Sequence, residues 1–132
     1  MDKTEVIAGL VIFANLPPRS IQAVSALAVE DSAPAGTVLM REGEPSDSFY
    51  VIVRGTVHIE REGRFIRSMS RGSFLGEIGL LKGAERSATA RCETDCKCIR
   101  LDSHEFGRVV ETFPDVRARV EAAVARRPHG GG

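Results

Sequence analysis

Short apolar runs separated by single glycines constrain this sequence most. Most of the thirteen glycines stand alone between such runs, and glycine at that position is typical of a turn. From about residue 29 to residue 101 the pattern is that of short strands. Six to eight strands at this regular spacing predict a closed sandwich or barrel. The clearest strand candidates are residues 37–40, 49–53, 56–61, 64–69, 88–92 and 98–101.

Two of these turns have the sequence of tight hairpin connections. Arg54 and Gly55 follow the strongest strand candidate, and Glu62 and Gly63 follow the next one. Two-residue turns that contain glycine commonly join neighbouring antiparallel strands. We therefore expect the strands on both sides of each turn to pair with each other.

Helical spacing is found at both ends of the chain. Pro17 and Pro18 suit the start of a helix that continues to about residue 29, and a shorter helix is expected over residues 4–10. Near the other end, Asp102 followed by Glu105 is a plausible capping box. Two apolar stripes then predict two C-terminal helices, the second starting at Pro114.

Composition limits the classes of function. The 132 residues fit one domain, and 18 basic residues balance 18 acidic ones to a net charge of zero. Proteins that bind nucleic acid or a membrane surface usually carry a basic excess, so we expect neither partner. No apolar stretch is long enough to span a bilayer, and no secretory signal is recognisable. We expect a cytoplasmic protein with one domain over residues 1–127 and a disordered tail over 128–132.

The cysteines and histidines do not form a recognisable reactive site. Cys92, Cys96 and Cys98 have neither a CxxC spacing nor a usual zinc pattern, so we expect structural thiols and no metal. The three histidines lie in separate segments, and no nucleotide-binding Walker motif is present. We therefore expect no catalytic residues, no cofactor and no enzyme activity.

Residues 72–90, GSFLGEIGLLKGAERSATA, interrupt the strand pattern and carry the strongest functional signal. A short helix that begins at Gly76 would present free backbone N–H groups to an anion. The guanidinium of Arg86 can hold a phosphate with two parallel hydrogen bonds, whereas Glu77 supplies acceptors that suit a sugar hydroxyl. Taken singly, Arg86 also fits a surface arginine or an ion-pair partner of Glu77. Together the residues predict a pocket for a ligand with one phosphate and one ribose.

This segment resembles the phosphate-binding cassette of cyclic-nucleotide-binding domains. That family includes the regulatory subunits of cAMP-dependent kinase, the catabolite activator protein and cyclic-nucleotide-gated channels. The Gly76–Glu77 pair and the Arg86–Ser87–Ala88 triplet stand at the family's spacing, and residues 35–55 resemble its first hairpins. The resemblance implies a mainly β fold, an eight-stranded antiparallel jelly-roll (β-roll). It also implies N-terminal helices, a short cassette helix and two C-terminal helices.

The resemblance also implies a role for each matching residue. Glu77 would accept a hydrogen bond from the ribose 2′-hydroxyl, Arg86 would pair with the cyclic phosphate, and Ser87 would add a hydroxyl. Backbone amides near Gly76–Ile78 and at Ala88 would complete the phosphate cradle. The last helix would act as a lid over the base, to which Arg126 or Arg127 could contribute.

We therefore predict a regulatory module that binds a cyclic purine mononucleotide, with cAMP favoured over cGMP. Ligand binding would reposition the C-terminal helix, and an unknown effector protein would respond. One alternative is a ligand-free module of the same fold that binds a protein partner. A second alternative is an enzyme that acts on cyclic nucleotides, but the sequence shows no group of metal ligands or catalytic bases for such a reaction.

Overall fold

The structure is a computed structural model that describes residues 3–10, 13–45, 47–76 and 85–125. Two helices come first, strands follow, and two further helices end the described part of the chain. The helices are α1 (Lys3–Ala8), α2 (Pro18–Leu27), α3 (Ser103–Thr112) and α4 (Pro114–Ala125). The strands are β1 (Val29–Ala33), β2 (Val38–Met40), β3 (Ser48–Arg54), β4 (Val57–Arg61), β5 (Arg64–Met69), β6 (Phe74–Leu75), β7 (Thr89–Cys92) and β8 (Cys96–Asp102).

The eight described strands form two antiparallel sheets of four. Sheet A has the order β1-β8-β3-β6, and sheet B has the order β2-β7-β4-β5. Most neighbours in space are distant in sequence, as in a jelly roll. The predicted mainly β jelly-roll with flanking helices is confirmed. The predicted cassette helix and the tail over residues 128–132 lie outside the described residues.

Two apolar cores lie on the two faces of sheet A. Successive side chains of a strand point to opposite faces. Phe49 and Val51 of β3 therefore pack with the helices, where Phe106 of α3 is fully buried. Ile52 of β3 belongs to the second core, which fills the space between the two sheets and meets Ile59 of sheet B.

The turn at Gly55 changes sheets, so the hairpin predicted there is wrong. β3 pairs with β6 and β8, whereas β4 pairs with β5 and β7. Gly55 has a φ of +98°, and a Cβ atom on it would lie 2.5 Å from the Asp95 carbonyl oxygen and 2.8 Å from Cys96 Sγ. The local sequence does not distinguish the two kinds of turn because both use glycine at positive φ.

The hairpin predicted at Glu62 and Gly63 is confirmed. Their φ values are 52° and 78°, as a two-residue turn with two left-handed positions requires. The turn brings Arg61 of β4 opposite Arg64 of β5. Here the turn sequence predicted the pairing correctly because the two strands that the turn connects are direct partners in the sheet.

Sequence reasoning missed β1 and β6 as strands. β1 has the sequence VEDSA, and acidic residues and serine are poor strand formers. It forms because all five of its residues pair with β8, from Val29 opposite Arg100 to Ala33 opposite Cys96. Tertiary pairing thus overrides local propensity at this sheet edge.

The predicted C-terminal helices are present, and polar contacts hold their starts. The Asp102 carboxylate accepts hydrogen bonds from the backbone N–H groups of His104 and Glu105, at 2.9 and 3.1 Å, which is the expected N-cap. The hydroxyl of the fully buried Ser20 donates to Asp115 Oδ2 at 3.1 Å. This second bond ties α2 to the first turn of α4.

The part of the chain described by the structure contains no helix long and apolar enough to cross a membrane. In those same residues no group of three or more His, Cys, Asp and Glu side chains could hold a metal ion. Cys92, Cys96 and Cys98 are free and buried, in agreement with the structural role expected from their spacing.

We expect Gly55→Ala to lower the free energy of unfolding by about 2–4 kcal/mol. Overpacking costs about 1–3 kcal/mol, and a left-handed backbone conformation adds about 1–2 kcal/mol for a residue with a Cβ atom. The matched control is Gly63→Ala, where φ is also positive but no atom lies within 4 Å of the added Cβ. Urea unfolding should show a clearly smaller loss for the control; equal losses would contradict the tight packing at Gly55.

We also expect the thiols of the folded protein to resist alkylation. Burial raises the pKa of Cys92 to about 12 and that of Cys98 to about 11, and the thiolate is the reactive form. With iodoacetamide at about pH 8, the denatured chain should take up three labels while the folded chain takes up none in the same time, as read by mass spectrometry. A cysteine that reacts equally fast in both states would disprove its burial.

Candidate functional site

Arg86 is buried, which excludes its interpretation as a surface arginine. The residue is 6% exposed. Its backbone N–H donates to the Glu44 carbonyl at 2.8 Å, and its carbonyl accepts from the Gly43 N–H at 2.9 Å. An isolated bridge between Pro45 and Glu85 continues this pairing. The loop between β2 and β3 therefore holds the Arg86 backbone through two hydrogen bonds.

The guanidinium of Arg86 keeps one buried donor group without a partner. Nη2 donates to the Ser48 carbonyl oxygen at 2.8 Å and lies 3.4 Å from Asp47 Oδ1. Nη1 is buried and has no hydrogen-bond partner among the described residues. Burial lowers the pKa of Arg86, and the Asp47 carboxylate partly opposes this effect. A buried donor without an acceptor costs free energy, so an anion that reaches Nη1 would be bound favourably.

Gly76 lies directly against this guanidinium. Its φ is +85°, and an added Cβ atom would come within 2.6 Å of the Ser48 carbonyl oxygen and closer still to Arg86 Nη1. Only a residue without a side chain lets the backbone approach this closely. The structure therefore brings Gly76 and Arg86 together, as the cassette interpretation requires.

The remaining predicted site residues fall into two groups. Two residues, Ser87 and Ala88, are described by the structure. Ser87 is exposed, and its carbonyl accepts a hydrogen bond from Arg61 Nε at 2.9 Å, whereas Ala88 is fully buried. The other four residues lie outside the described residues. They are Glu77 and Ile78 of the cassette and Arg126 and Arg127 of the possible lid.

Sequence reasoning missed Asp47 and Ser48 as partners of Arg86. Both lie in residues 35–55, which resemble the first hairpins of the family, and neither was predicted to contact Arg86. Ser48 contributes a backbone carbonyl, which any residue type could supply, so no sequence signal could have identified it. Asp47 offered no usable signal either, because nothing in the sequence places a residue 39 positions before Arg86 beside it.

Comparison with known proteins agrees with this geometry. A family model described as "Cyclic nucleotide-binding domain" matches residues 30–113. A cAMP-activated global transcriptional regulator of Escherichia coli O6:H1 is 33% identical over 100 residues, 71% of this chain and 48% of that protein. The potassium/sodium hyperpolarization-activated cyclic nucleotide-gated channel 2 of Mus musculus is 29% identical over 123 residues, 93% of this chain and 14% of the channel.

A solved structure is similar over almost its whole length. It is the N-terminal domain of a transcriptional regulator from Streptomyces coelicolor A3(2), with a TM-score of 0.79 and 26% sequence identity. The match covers 92% of this chain and 91% of that one. By contrast, the chain spans about half the length of the curated Escherichia coli regulator.

The expectation of no nucleic-acid partner is wrong. Two of these relatives are transcriptional regulators, a class of protein that acts on gene expression. The zero net charge is a property of these 132 residues, and the match covers only 48% of the curated regulator. Charge balance in one domain carries no information about another domain joined to it. The expectation of no membrane partner stays a prediction.

The comparisons confirm that the chain is not an enzyme. The matching family model describes a binding domain, and the relatives are regulators and a channel. The family model covers well over half of the chain, and it agrees with the jelly-roll fold and with a buried arginine that has an unused donor. This chain belongs to the cyclic nucleotide-binding domain family.

Proposed function

We propose that this domain binds a cyclic purine mononucleotide, with cAMP favoured, and acts as a non-catalytic regulatory module. The observation that carries the proposal is the buried Nη1 of Arg86, which has no acceptor among the described residues. A cyclic phosphate is a small anion with two free oxygens and would supply that acceptor. Gly76 lets the backbone of the predicted cassette lie against the guanidinium because no side chain stands between them.

The other predicted contacts complete the binding site in this proposal. Glu77 accepts a hydrogen bond from the ribose 2′-hydroxyl, while backbone amides of Gly76, Ile78 and Ala88 surround the phosphate. The hydroxyl of Ser87 has no hydrogen-bond partner in the described part of the chain, so it is free to bond the phosphate. Arg126 or Arg127 covers the base from the lid helix.

In this proposal, ligand binding affects the position of the C-terminal helices through contacts made by β3. Arg86 donates a hydrogen bond to the Ser48 carbonyl at 2.8 Å. The next residue is Phe49, whose ring centroid lies 6.3 Å from that of Phe13. Phe13 in turn lies 6.0 Å from Phe106 of α3. A shift of Arg86 toward a phosphate would thus act on the core that holds α3 and α4. A ligand moves these helices only by binding one arrangement more tightly than the other.

A cytoplasmic location belongs to the same proposal. Cys92, Cys96 and Cys98 are all free thiols, and all three belong to the core between the two sheets. Disulfides persist in oxidising compartments and are rare in the cytosol. Neighbouring thiols that remain unjoined favour a reducing environment.

We expect Arg86→Lys to weaken cAMP binding by about ten- to a hundredfold. The variant keeps the charge but loses the planar pair of donors, and hydrogen bonds to charged groups contribute about 1.5–3 kcal/mol each. The control Arg64→Lys changes an exposed arginine at the hairpin tip and should bind as the parent does.

Calorimetry measures the affinities, and thermal unfolding gives an independent check. The parent should gain about 2.7 kcal/mol of stability at a cAMP concentration one hundred times its Kd. Unchanged affinity in Arg86→Lys would contradict the role of Arg86. If no cyclic nucleotide stabilises the parent protein, the ligand-free interaction module is the correct function.

We expect cAMP to bind about three- to thirtyfold more tightly than cGMP, which corresponds to about 0.7–2 kcal/mol. The Ser87 hydroxyl lacks the methyl group that would hold a threonine hydroxyl in one rotamer pointing at a guanine amino group. Ser87→Thr should therefore narrow the ratio. Competition titrations test this, and a cGMP preference in the parent, or a wider cAMP preference in Ser87→Thr, would show that Ser87 does not set selectivity.

A further inference from the structure

A cleft beside the predicted cassette is lined by three arginines. It has a volume of about 430 Å³, within the range of small-molecule sites. β2, β3, β8 and the loop between β2 and β3 form its walls. Of the predicted nucleotide-binding residues that the structure describes, only Arg86 lines it. The other two arginines are Arg41 and Arg100.

Arg100 is held in place through only one of its three nitrogen atoms. Its Nε donates to Asp31 Oδ2 at 2.9 Å, and this bond raises the pKa of Arg100. The two terminal nitrogen atoms have no hydrogen-bond partner among the described residues. Asp31 therefore orients the guanidinium and leaves its two-pronged end available for another acceptor.

Tyr50 adds a hydroxyl to the same wall. It lies directly opposite Arg100 where β3 pairs with β8. It also lies two positions after Ser48, on the same face of β3, and the Ser48 carbonyl accepts a hydrogen bond from Arg86. Burial raises the pKa of Tyr50, while the charges of Arg100 and Arg86 oppose that effect. Its hydroxyl has no hydrogen-bond partner in the described part of the chain, so it can donate to a ligand.

The unpaired donors of the cleft, and not its net charge, suit a small anion. Arg41, Arg86 and Arg100 face the carboxylates of Glu44 and Asp47, and Asp31 pairs with Arg100, so three positive charges are balanced by three negative ones. Asp47 lies beside Arg86 and so offsets the arginine that serves the cassette. The two terminal nitrogen atoms of Arg100 have no partner among the described residues, and a single tetrahedral oxyanion can accept from both of them and from Tyr50.

We propose that Arg100 and Tyr50 form a second anion-binding site, separate from the cassette, for the phosphate group of a small ligand or for free phosphate. Two oxygens of the phosphate accept hydrogen bonds from the terminal nitrogen atoms of Arg100. A third oxygen accepts from the Tyr50 hydroxyl. Asp31 binds no ligand and acts as a positioning residue. The site does not depend on the nucleotide-binding function proposed above.

The composition of the chain offers a direct probe of this cleft. Tyr50 is the only tyrosine, and the chain contains no tryptophan. A sample with isotope-labelled tyrosine rings therefore gives ring NMR signals from this wall alone. Inorganic phosphate is titrated at constant ionic strength against chloride, so that general charge screening is held fixed. We expect a saturable shift of the Tyr50 signals.

Two matched variants test the assignment. Arg100→Gln removes the charge and the two-pronged donor, and it should weaken phosphate binding at least tenfold. Arg100→Lys, which keeps the charge, should weaken it less. Arg64→Gln removes an exposed arginine on β5, at the opposite edge of sheet B from β2, and should leave phosphate binding unchanged. Circular dichroism confirms that each variant is folded.

Three results would overturn the site. They are a Tyr50 signal that phosphate does not shift in a saturable way, equal binding in the parent and Arg100→Gln, or an equal loss in Arg64→Gln. Calorimetry with cAMP separates this proposal from the nucleotide-binding function. Arg100→Gln should lose phosphate at the cleft but keep its cAMP affinity, and loss of both would mean that Arg100 serves the cassette.

Discussion

The buried guanidinium of Arg86 is the interaction on which the rest of this site depends. Burying a charged group is costly unless it is paired and hydrogen-bonded, and Arg86 is paired only in part. The Ser48 carbonyl and the Asp47 carboxylate contact Nη2, while Nη1 remains without an acceptor among the described residues. Backbone bonds to Gly43 and Glu44 keep the side chain in this position. The domain therefore holds a buried donor that can bind an anion.

The two faces of sheet A connect this donor to the helices. Ser48 begins β3, whose next residue, Phe49, lies in the aromatic core with Phe13 and Phe106. Tyr50, one residue further, faces the other way, into the cleft that Arg100 also lines. One short strand thus contacts the buried Arg86, the helical core and the cleft lined by Arg100. Three consecutive residues can make these three contacts because successive side chains of a strand point to opposite faces of the sheet.

Particular residues show how far local sequence reasoning extends. The turn at Gly63 and the cap at Asp102 were predicted correctly because each depends on neighbours within three residues. The turn at Gly55 was assigned to a hairpin because glycine at positive φ serves both a hairpin and a change of sheet. β1 was missed because its strand conformation comes from pairing with β8, about seventy residues away. The absence of a nucleic-acid partner was inferred wrongly, since charge balance describes only the residues counted.

The sequence by itself determined the β-rich pattern, the flanking helices and the Gly76 to Arg86 spacing, because turn residues, helical periodicity and motif spacing are properties of local chain segments. Only the tertiary structure decided that Arg86 is buried, that Ser48 and Asp47 share one of its nitrogen atoms, and that the other nitrogen is left unpaired. It also decided that Asp31 orients Arg100 beside Tyr50. These contacts join residues 38, 39 and 69 positions apart. The distance between such residues is set by long-range strand pairing and by the placement of loops, which no local pattern encodes.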